Sequence, residues 1–307
     1  KFIALGEAYH GDTLGAAAVG GIERFHSLFG PLLFEVIRMP SPDLRRLPVG
    51  LGDLEAASYF LKSLENLIKA HHSEVAALVM EPLVQCAAGM VMHPPGFLRG
   101  VRKLTREYGV HLIVDEVATG FGRTGTMFAC ERESVVPDFL CLGKGISGGY
   151  LPLSATITNG EIWQAFLGSP DEGRTLFHGH TYSGNPLACA AGLASLDLFE
   201  EEQTLERLQS KITRLSEHLK RIAKHPNVAH PRQCGLIGAF DLVADKPNVI
   251  PFEHTSAIGL KIAKYALDRG VWLRPQPHFL YVMPPLSISM DELDMMMEII
   301  EAGLTQA

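Results

Sequence analysis

The chain has 307 residues, of which 47% are hydrophobic and 20% charged, and its formal net charge is −7. This length allows one large domain and a smaller one, and the composition is that of an ordinary globular protein. A negative chain without a lysine or arginine cluster argues against nucleic acid or an anionic membrane as a partner. No apolar run approaches the roughly 20 residues that span a bilayer, so we expect no membrane segment.

The cysteines lack the paired spacing of metal and redox motifs, and most fall in apolar stretches. They are Cys86, Cys130, Cys141, Cys189 and Cys234. We therefore expect reduced core thiols rather than disulfides, which indicates a reducing compartment and predicts a cytoplasmic protein.

Short apolar runs alternate with helical patterns from residue 1 to about residue 200. The candidate strands cover residues 1–5, 75–80, 110–114, 139–142 and 153–158, and the candidate helices cover residues 95–108 and 187–199. This alternation predicts an α/β fold, with a mostly parallel sheet covered by helices on both faces.

The order of elements changes near residue 203. An amphipathic helix over residues 203–224 precedes candidate strands at 235–243, 271–274 and 280–283 and candidate helices at 256–269 and 290–302. This order is typical of an α+β unit. We predict a large domain over residues 1–202 and a C-terminal small domain, with its linking helix, over residues 203–307.

Two of the apolar runs lead directly to ionisable residues. Residues 110–114 are followed by Asp115 and Glu116, and residues 139–142 are followed by Gly143-Lys144-Gly145. Ligands bind at the carboxyl ends of strands in open α/β sheets. Flanking glycines allow close approach, a desolvated lysine can form a Schiff base, and a buried carboxylate can keep a pyridine nitrogen protonated. The two residues together predict pyridoxal phosphate (PLP) chemistry.

Each candidate also has an ordinary structural interpretation. Lysines are mostly solvated, and an aspartate after a strand often caps a turn, although the glycine-rich residues 120–125 offer Asp115 no helix to cap. In the segment 9–13, Asp12 would cap a helix, whereas Tyr9 would lie at the rim of a site. Arg274 follows an apolar run and either is solvated or clamps a carboxylate.

Other motifs are weak or absent. Residues 143–148 fit the GxGxxG pattern, but a strand rather than the required helix is predicted after them. The chain has neither a P-loop nor a GxSxG nucleophile motif. His71-His72 and His178-Gly179-His180 lack further ligands at a suitable spacing, so we predict no metal site.

Residues 113–125, the Gly-Lys-Gly segment and residues 181–188 resemble the signature of class III PLP-dependent aminotransferases, and the resemblance covers nearly the whole chain. Within this family, the chain is most similar to the members that act in biotin biosynthesis, where S-adenosylmethionine donates an amino group to 8-amino-7-oxononanoate. The similarity lies in residues 9–13, 150–156, 273–275 and 281–285. The resemblance implies the fold type I architecture of PLP enzymes and an obligate homodimer whose sites use both subunits.

The resemblance also implies roles for residues that would bind the cofactor. Lys144 would bond to PLP and shuttle protons, and Asp115 would pair with the pyridine nitrogen. Val117 would pack on one face of the ring, and Glu81 would lie beside it. Thr181 would bind the cofactor phosphate across the dimer interface.

A second set of residues would contact substrate. Tyr9 would lie near both cofactor and substrate, and Arg274 would hold the carboxylate of 8-amino-7-oxononanoate. Tyr281 and Gly179 would line the substrate pocket.

The sequence leaves several alternatives open. The chain opens within a strand pattern, and proteins of the resembled family carry a long segment before this strand, so we expect further sequence ahead of residue 1. The alternatives are another class III ω-aminotransferase or PLP aminomutase, a non-catalytic fragment of a PLP fold, and a nicotinamide-dependent oxidoreductase.

Overall fold

The computed structural model describes residues 1–48, 50–274 and 276–306. Pro275, one residue of the segment 273–275 that supported the resemblance, lies outside the described residues.

A six-stranded sheet organises the first half of the chain. The strands of this half are β1 (Phe2–Leu5), β2 (Val36–Met39), β3 (Ala77–Met80), β4 (Val84–Gln85), β5 (Val91–Met92), β6 (His111–Asp115), β7 (Phe139–Leu142) and β8 (Ala155–Thr158). The order in the sheet is β2-β1-β3-β6-β7-β8, and only the last pair is antiparallel. β4 and β5 form a separate hairpin. Central β3 is buried along its whole length, as expected for a sheet covered on both faces.

Helices pack around this sheet. They are α1 (Leu14–Val19), α2 (Glu23–His26), α3 (Asp53–His71), α4 (Phe97–Glu107), α5 (Gly160–Ala165) and α6 (Pro186–Glu201). A single hydrophobic cluster joins α3 and α4 to the sheet through Leu64, Phe97, Leu78 and Leu112, all fully buried. The sheet and the helices of this half therefore share one core.

The second half builds an antiparallel sheet with three long helices. Its elements are α7 (Thr204–Ile222), β9 (Val228–Cys234), β10 (Ile237–Asp245), β11 (Ile250–Pro251), α8 (Ile258–Leu267), β12 (Phe279–Val282) and α9 (Met290–Gln306). β10 pairs with β9, β11 and β12. A separate hydrophobic cluster, drawn from residues 208–304, fills its interior. This separation supports the domain boundary that we propose near residue 203.

One predicted strand is absent from the structure, and several observed elements were not predicted, among them β2, α3 and β9. Residues 271–274 form no strand, although Val271 and Leu273 are buried. An extended segment that packs alternate side chains into a core has the sequence pattern of a strand, even where no neighbouring strand forms hydrogen bonds with it. Conversely, β9 was missed because polar residues such as Arg232 and Gln233 interrupt its apolar pattern.

The remaining sequence expectations concern cysteines and membrane segments. All five cysteines are free thiols, but Cys189 is exposed rather than in the core. Within the described ranges, no helix is both long and apolar enough to cross a bilayer. The cytoplasmic location stays a prediction.

Helix α4 begins two residues later than the sequence predicted, because its cap comes from a distant part of the chain. Gly96, at the N-cap, has no side chain and adopts a left-handed conformation. The buried Glu133 carboxylate accepts the Gly96 amide at 2.7 Å and the Arg99 amide at 2.8 Å. A carboxylate at a helix N-terminus also interacts favourably with the helix dipole.

Replacing this carboxylate should therefore destabilise the fold. We expect Glu133→Ala to lower the free energy of unfolding by about 1–2 kcal/mol, because two amides of the first helical turn lose their acceptor. Urea denaturation measures this loss. The matched control is Glu131→Ala, at an exposed neighbouring position, which should change stability by less than about 0.5 kcal/mol. Equal effects of the two substitutions would contradict the capping role.

Candidate active site

Four parallel strands end at the same edge of the large sheet, and each leads to a candidate residue. Tyr9 follows β1, Glu81 follows β3, Asp115 ends β6, and Lys144 follows β7. All four line a single cavity of about 1450 Å³. The carboxyl edge of the sheet is therefore the floor of a ligand-sized site, as the strand pattern predicted.

The cavity gathers most of the predicted site residues. Its walls include Tyr9, Glu81, Asp115, Val117, Lys144, Arg274 and Tyr281. Gly179 and Thr181 do not line it, and both lie on an exposed segment of the chain. The roles of these two residues stay predictions.

The Asp115 carboxylate is buried and bonded through both oxygens. Oδ1 accepts the Val117 amide at 3.0 Å, and Oδ2 lies 2.8 Å from Nδ1 of His10. No helix directly follows Asp115, as the sequence indicated, but its carboxylate closes a short turn onto the Val117 amide. These two contacts fix the orientation of the carboxylate.

His10 is the site residue that the sequence analysis missed. Its side chain is only 4% exposed, and it lines the cavity. Among the residues that the structure describes, none bonds the buried Nε2 atom of its ring. The sequence signal was its place after a strand ending at the same sheet edge. A single histidine without a visible partner, however, is indistinguishable from an ordinary core residue.

Lys144 differs from the buried lysine that the sequence suggested. It is exposed, because it lines an open cavity, and its φ of +43° is left-handed. The neighbouring glycines serve packing: a Cβ on Gly143 would lie 3.2 Å from Val117, and one on Gly145 would lie 2.8 Å from Phe121. Because these glycines lack side chains, the segment 143–145 packs directly against the turn that follows Asp115.

Glu81 lies beneath the segment that carries Tyr9 and His10. Its carboxyl oxygens accept the Tyr9 amide at 3.4 Å and the Cys86 amide at 2.9 Å. Burial raises the pKa of Glu81 to about 7, against the opposing effects of the His10 charge and the two amide hydrogen bonds. This carboxyl group therefore exchanges a proton near neutral pH.

Tyr9 and its neighbours form one rim of the cavity. The Tyr9 hydroxyl donates to Asp12 Oδ2 at 2.8 Å, and His26 Nε2 lies 3.4 Å from Asp12 Oδ1. The Tyr9 ring stacks on His26 at a centroid distance of 6.0 Å. In the ordinary structural interpretation Asp12 would cap a helix, but Thr13 is the N-cap of α1, and Asp12 instead accepts the hydrogen bond from the Tyr9 hydroxyl.

The second half of the chain supplies the opposite wall, which includes Arg274 and Tyr281. Two cations tie this wall to the first half and to α7. Arg123 Nη1 donates to the Pro284 carbonyl, and Lys211 Nζ donates to the Leu286 carbonyl, each at 2.6 Å. The cavity is therefore composite, with walls from both halves of the chain.

The high pKa of Glu81 predicts a pH dependence of stability. Its folded pKa of about 7 exceeds the ordinary 4.5, so the folded chain binds more protons between these values. The stability contribution of Glu81 is thus complete below about pH 4.5 and is lost as the pH rises to about 7, by at most about 3 kcal/mol.

Glu81→Gln cannot ionise, so its melting temperature relative to the unmodified chain should rise between about pH 5 and about pH 8. Thermal melts at both pH values measure this difference. The control, Glu107→Gln at an exposed position of α4, should show no such trend. A pH-independent difference for Glu81→Gln would contradict the raised pKa.

Comparison with known proteins assigns the chain to a family. The profile described as Aminotransferase class-III matches residues 1–304. The chain is 49% identical to the adenosylmethionine-8-amino-7-oxononanoate aminotransferase of Aquifex aeolicus, covering 99% of this chain and 67% of that protein. The protein of that name from Nitratidesulfovibrio vulgaris is 47% identical, with 99% of this chain and 56% of the relative covered. The chain thus spans about two thirds or less of the length of these relatives.

Solved structures give the same assignment. The crystal structure of adenosylmethionine-8-amino-7-oxononanoate aminotransferase from Methanocaldococcus jannaschii has a TM-score of 0.91 at 39% identity and covers 100% of this chain and 68% of that one. The structure of an (S)-enantioselective ω-transaminase from Thermomicrobium roseum has a TM-score of 0.94 at 34% identity. The match covers 100% of this chain and 68% of that one. These neighbours confirm the predicted fold class, that of PLP-dependent transaminases. The chain belongs to the class-III aminotransferase family.

Proposed function

We propose that this chain takes part in PLP-dependent transamination, with S-adenosylmethionine as amino donor and 8-amino-7-oxononanoate as acceptor, giving 7,8-diaminononanoate for biotin biosynthesis. The observation that carries the proposal is the joint placement of the oriented Asp115 carboxylate and Lys144 at the ends of two adjacent parallel strands in one cavity. The names of the relatives supply the substrates.

The residues of the site fit PLP. A buried carboxylate with both oxygens held is a fixed anion, which suits a protonated pyridine nitrogen. Val117 lies two residues after Asp115 and against Gly143, where it can pack on a flat ring. Lys144 lines the same cavity and can bond to an aldehyde. We therefore propose Asp115, Val117, Lys144, Tyr9 and Glu81 as cofactor-binding residues.

When bound, PLP supplies an electron sink for the carbon that loses or gains the amino group. Lys144 Nζ would carry a proton between that carbon of the substrate and the cofactor, a role that requires an unprotonated amine. Asp115 would keep the pyridine nitrogen of PLP protonated, and the Nδ1–H of His10 donates to Asp115 Oδ2 and keeps the carboxylate oriented. The Arg274 guanidinium would bind the acceptor carboxylate, with Tyr281 beside it.

We further propose that the chain acts as a homodimer. Large apolar side chains are exposed across residues 150–193, among them Tyr150, Phe177, Tyr182, Leu187 and Leu193, each more than 60% exposed. An exposed apolar surface of this kind marks an interaction site. Gly179 and Thr181 lie on this stretch, so a second copy would place them at a shared site, as the family resemblance implies.

A second candidate is transamination of a different amine. The ω-transaminase from Thermomicrobium roseum superposes as well as the biotin-pathway structure, but at lower sequence identity. To distinguish the two functions, the half-reaction is measured separately with S-adenosylmethionine, with lysine and with a simple amine as the amino donor. Conversion with the simple amine alone would favour the ω-transaminase function.

Lys144→Ala tests the cofactor assignment. Addition of PLP to the unmodified chain should produce a visible absorption band that borohydride abolishes, because the Lys144 amine bonds to the aldehyde. Lys144→Ala should lack the borohydride-sensitive band and the half-reaction with S-adenosylmethionine. The control is Lys69→Ala, on the exposed side of α3, which should behave as the unmodified chain. A sensitive band of equal intensity in Lys144→Ala would contradict the assignment.

A pair of substitutions at His10 tests the support of Asp115. We expect His10→Phe to slow the half-reaction about 10–100-fold, because one hydrogen bond to a charged group is worth about 1.5–3 kcal/mol. His10→Asn, which keeps a donor near the position of Nδ1, should lose less. Stopped-flow absorbance at saturating cofactor measures both rates. Equal rates in His10→Phe and the unmodified chain would show that Asp115 needs no such partner.

A further inference from the structure

A group of charged side chains outside the cavity joins the two halves of the chain. This group, the Asp241 cluster, consists of Asp43, Arg45, His230, Arg232 and Asp241. None of these five residues lines the cavity. Asp43 and Arg45 lie in the segment after β2, whereas the other three belong to β9 and β10.

The contacts of the cluster centre on the Asp241 carboxylate. Its Oδ1 lies 2.8 Å from Arg232 Nη1 and 3.2 Å from Arg45 Nη1, and its Oδ2 lies 2.9 Å from His230 Nδ1. Arg45 also donates to both oxygens of Asp43, each at 2.8 Å. The two buried arginines thus face two aspartates, and the exposed Arg46 adds a third guanidinium, 3.5 Å from Asp43 Oδ2.

These four side chains are largely buried, with exposed fractions of 3% for Asp43, 9% for Arg232, 17% for Asp241 and 19% for Arg45. Buried ion pairs hold their geometry when the remaining donors are also satisfied, and removing one partner leaves an uncompensated charge. The cluster is therefore suited to fixing the relative position of the elements that it joins.

The other donors of Arg232 reach the β4–β5 hairpin. Nε donates to the Met90 carbonyl at 2.9 Å, and Nη2 donates to the Gly89 carbonyl at 2.7 Å. A guanidinium that binds two successive carbonyls fixes both the position and the orientation of a turn. This turn is part of the cavity wall, because Cys86, Ala87 and Met90 line it.

Asp241 is also tied to the opposite wall. It pairs in register with Phe279 of β12, and Phe279 and Tyr281 line the cavity. A Cβ on Gly89 would lie 3.3 Å from the Phe279 ring, so the hairpin turn and β12 touch. The cluster therefore holds two walls of the cavity, one from each half of the chain.

We propose that the Asp241 cluster sets the separation of these two walls, with Arg232 as a positioning residue for the acceptor. The inference rests on the proposed function, because the acceptor would lie against Tyr281 and Arg274. Lys144 and Asp115 belong to other elements, so loosening the cluster affects substrate affinity rather than cofactor attachment. Arg232 itself contacts neither substrate nor cofactor.

Arg232→Met removes the donors and keeps the bulk of the side chain. We expect hydrogen exchange of the amides in residues 84–92 to become about tenfold faster or more, because the turn loses its anchor. KM for 8-amino-7-oxononanoate should rise about 5–10-fold, with a smaller change in kcat, since only binding is affected. The borohydride-sensitive band should be unchanged.

Two further variants separate positioning from general stability. Arg232→Lys should have a hairpin exchange rate and a KM between those of the unmodified chain and of Arg232→Met, because an ammonium group keeps the charge but cannot bind both carbonyls at once. Asp138→Asn is the matched control: its pair with Arg102 is comparably buried, at 12% and 11% exposed, and lies outside the cavity wall. It should lower the melting temperature without changing hairpin exchange or KM.

Unchanged hairpin exchange or unchanged KM in Arg232→Met, or equal changes in Asp138→Asn, would overturn the inference. If the unmodified chain failed to aminate 8-amino-7-oxononanoate, the proposed function would fail instead. In that case the exchange comparison alone would decide whether the cluster positions the hairpin.

Discussion

The hydrogen bond between His10 and Asp115 is the interaction on which the arrangement of the site depends. β1 and β6 are not neighbours, because β3 lies between them. The segment after β1 must therefore pass over the end of β3 to bring His10 to Asp115. In doing so it covers Glu81, which accepts the Tyr9 amide. The burial of Glu81, its raised pKa and the position of the Tyr9 rim all follow from this crossing.

The site also depends on how the second half of the chain docks. The turn between β9 and β10 packs so closely on the glycine-rich loop that a Cβ on Gly235 would lie 2.3 Å from the Thr124 backbone. Gly235 also has a φ of +58°, so glycine is required there for both conformation and space. This contact, the Arg123 and Lys211 hydrogen bonds and the Asp241 cluster together place Arg274 and Tyr281 opposite the sheet edge.

The sequence predicted the parts of the site that depend on local pattern. Buried parallel strands are short apolar runs, and Asp115 and Lys144 follow such runs directly, so their convergence could be derived from the general geometry of parallel sheets. The family resemblance added Val117, Glu81 and Tyr281, which line the cavity. What the sequence did not reveal were contacts between distant residues, such as His10 with Asp115 and Arg232 with Asp241. The local sequence around one residue of such a pair does not indicate which distant residue it contacts. The exposure of Lys144 was also missed, because an apolar flank indicates a buried strand but not an open cavity beside its end.

The crossing from β1 to β6 also has a consequence for the order of folding. His10 and Asp115 are 105 residues apart in sequence, and Arg45 and Asp241 are 196 apart. Contacts of such sequence separation form only after a large loop-closure entropy has been overcome. During synthesis, β1 leaves the ribosome long before Asp115 exists, so the anion that would meet the cofactor ring has no fixed orientation at that stage. We therefore expect cofactor capture to follow the assembly of the sheet, not to nucleate it.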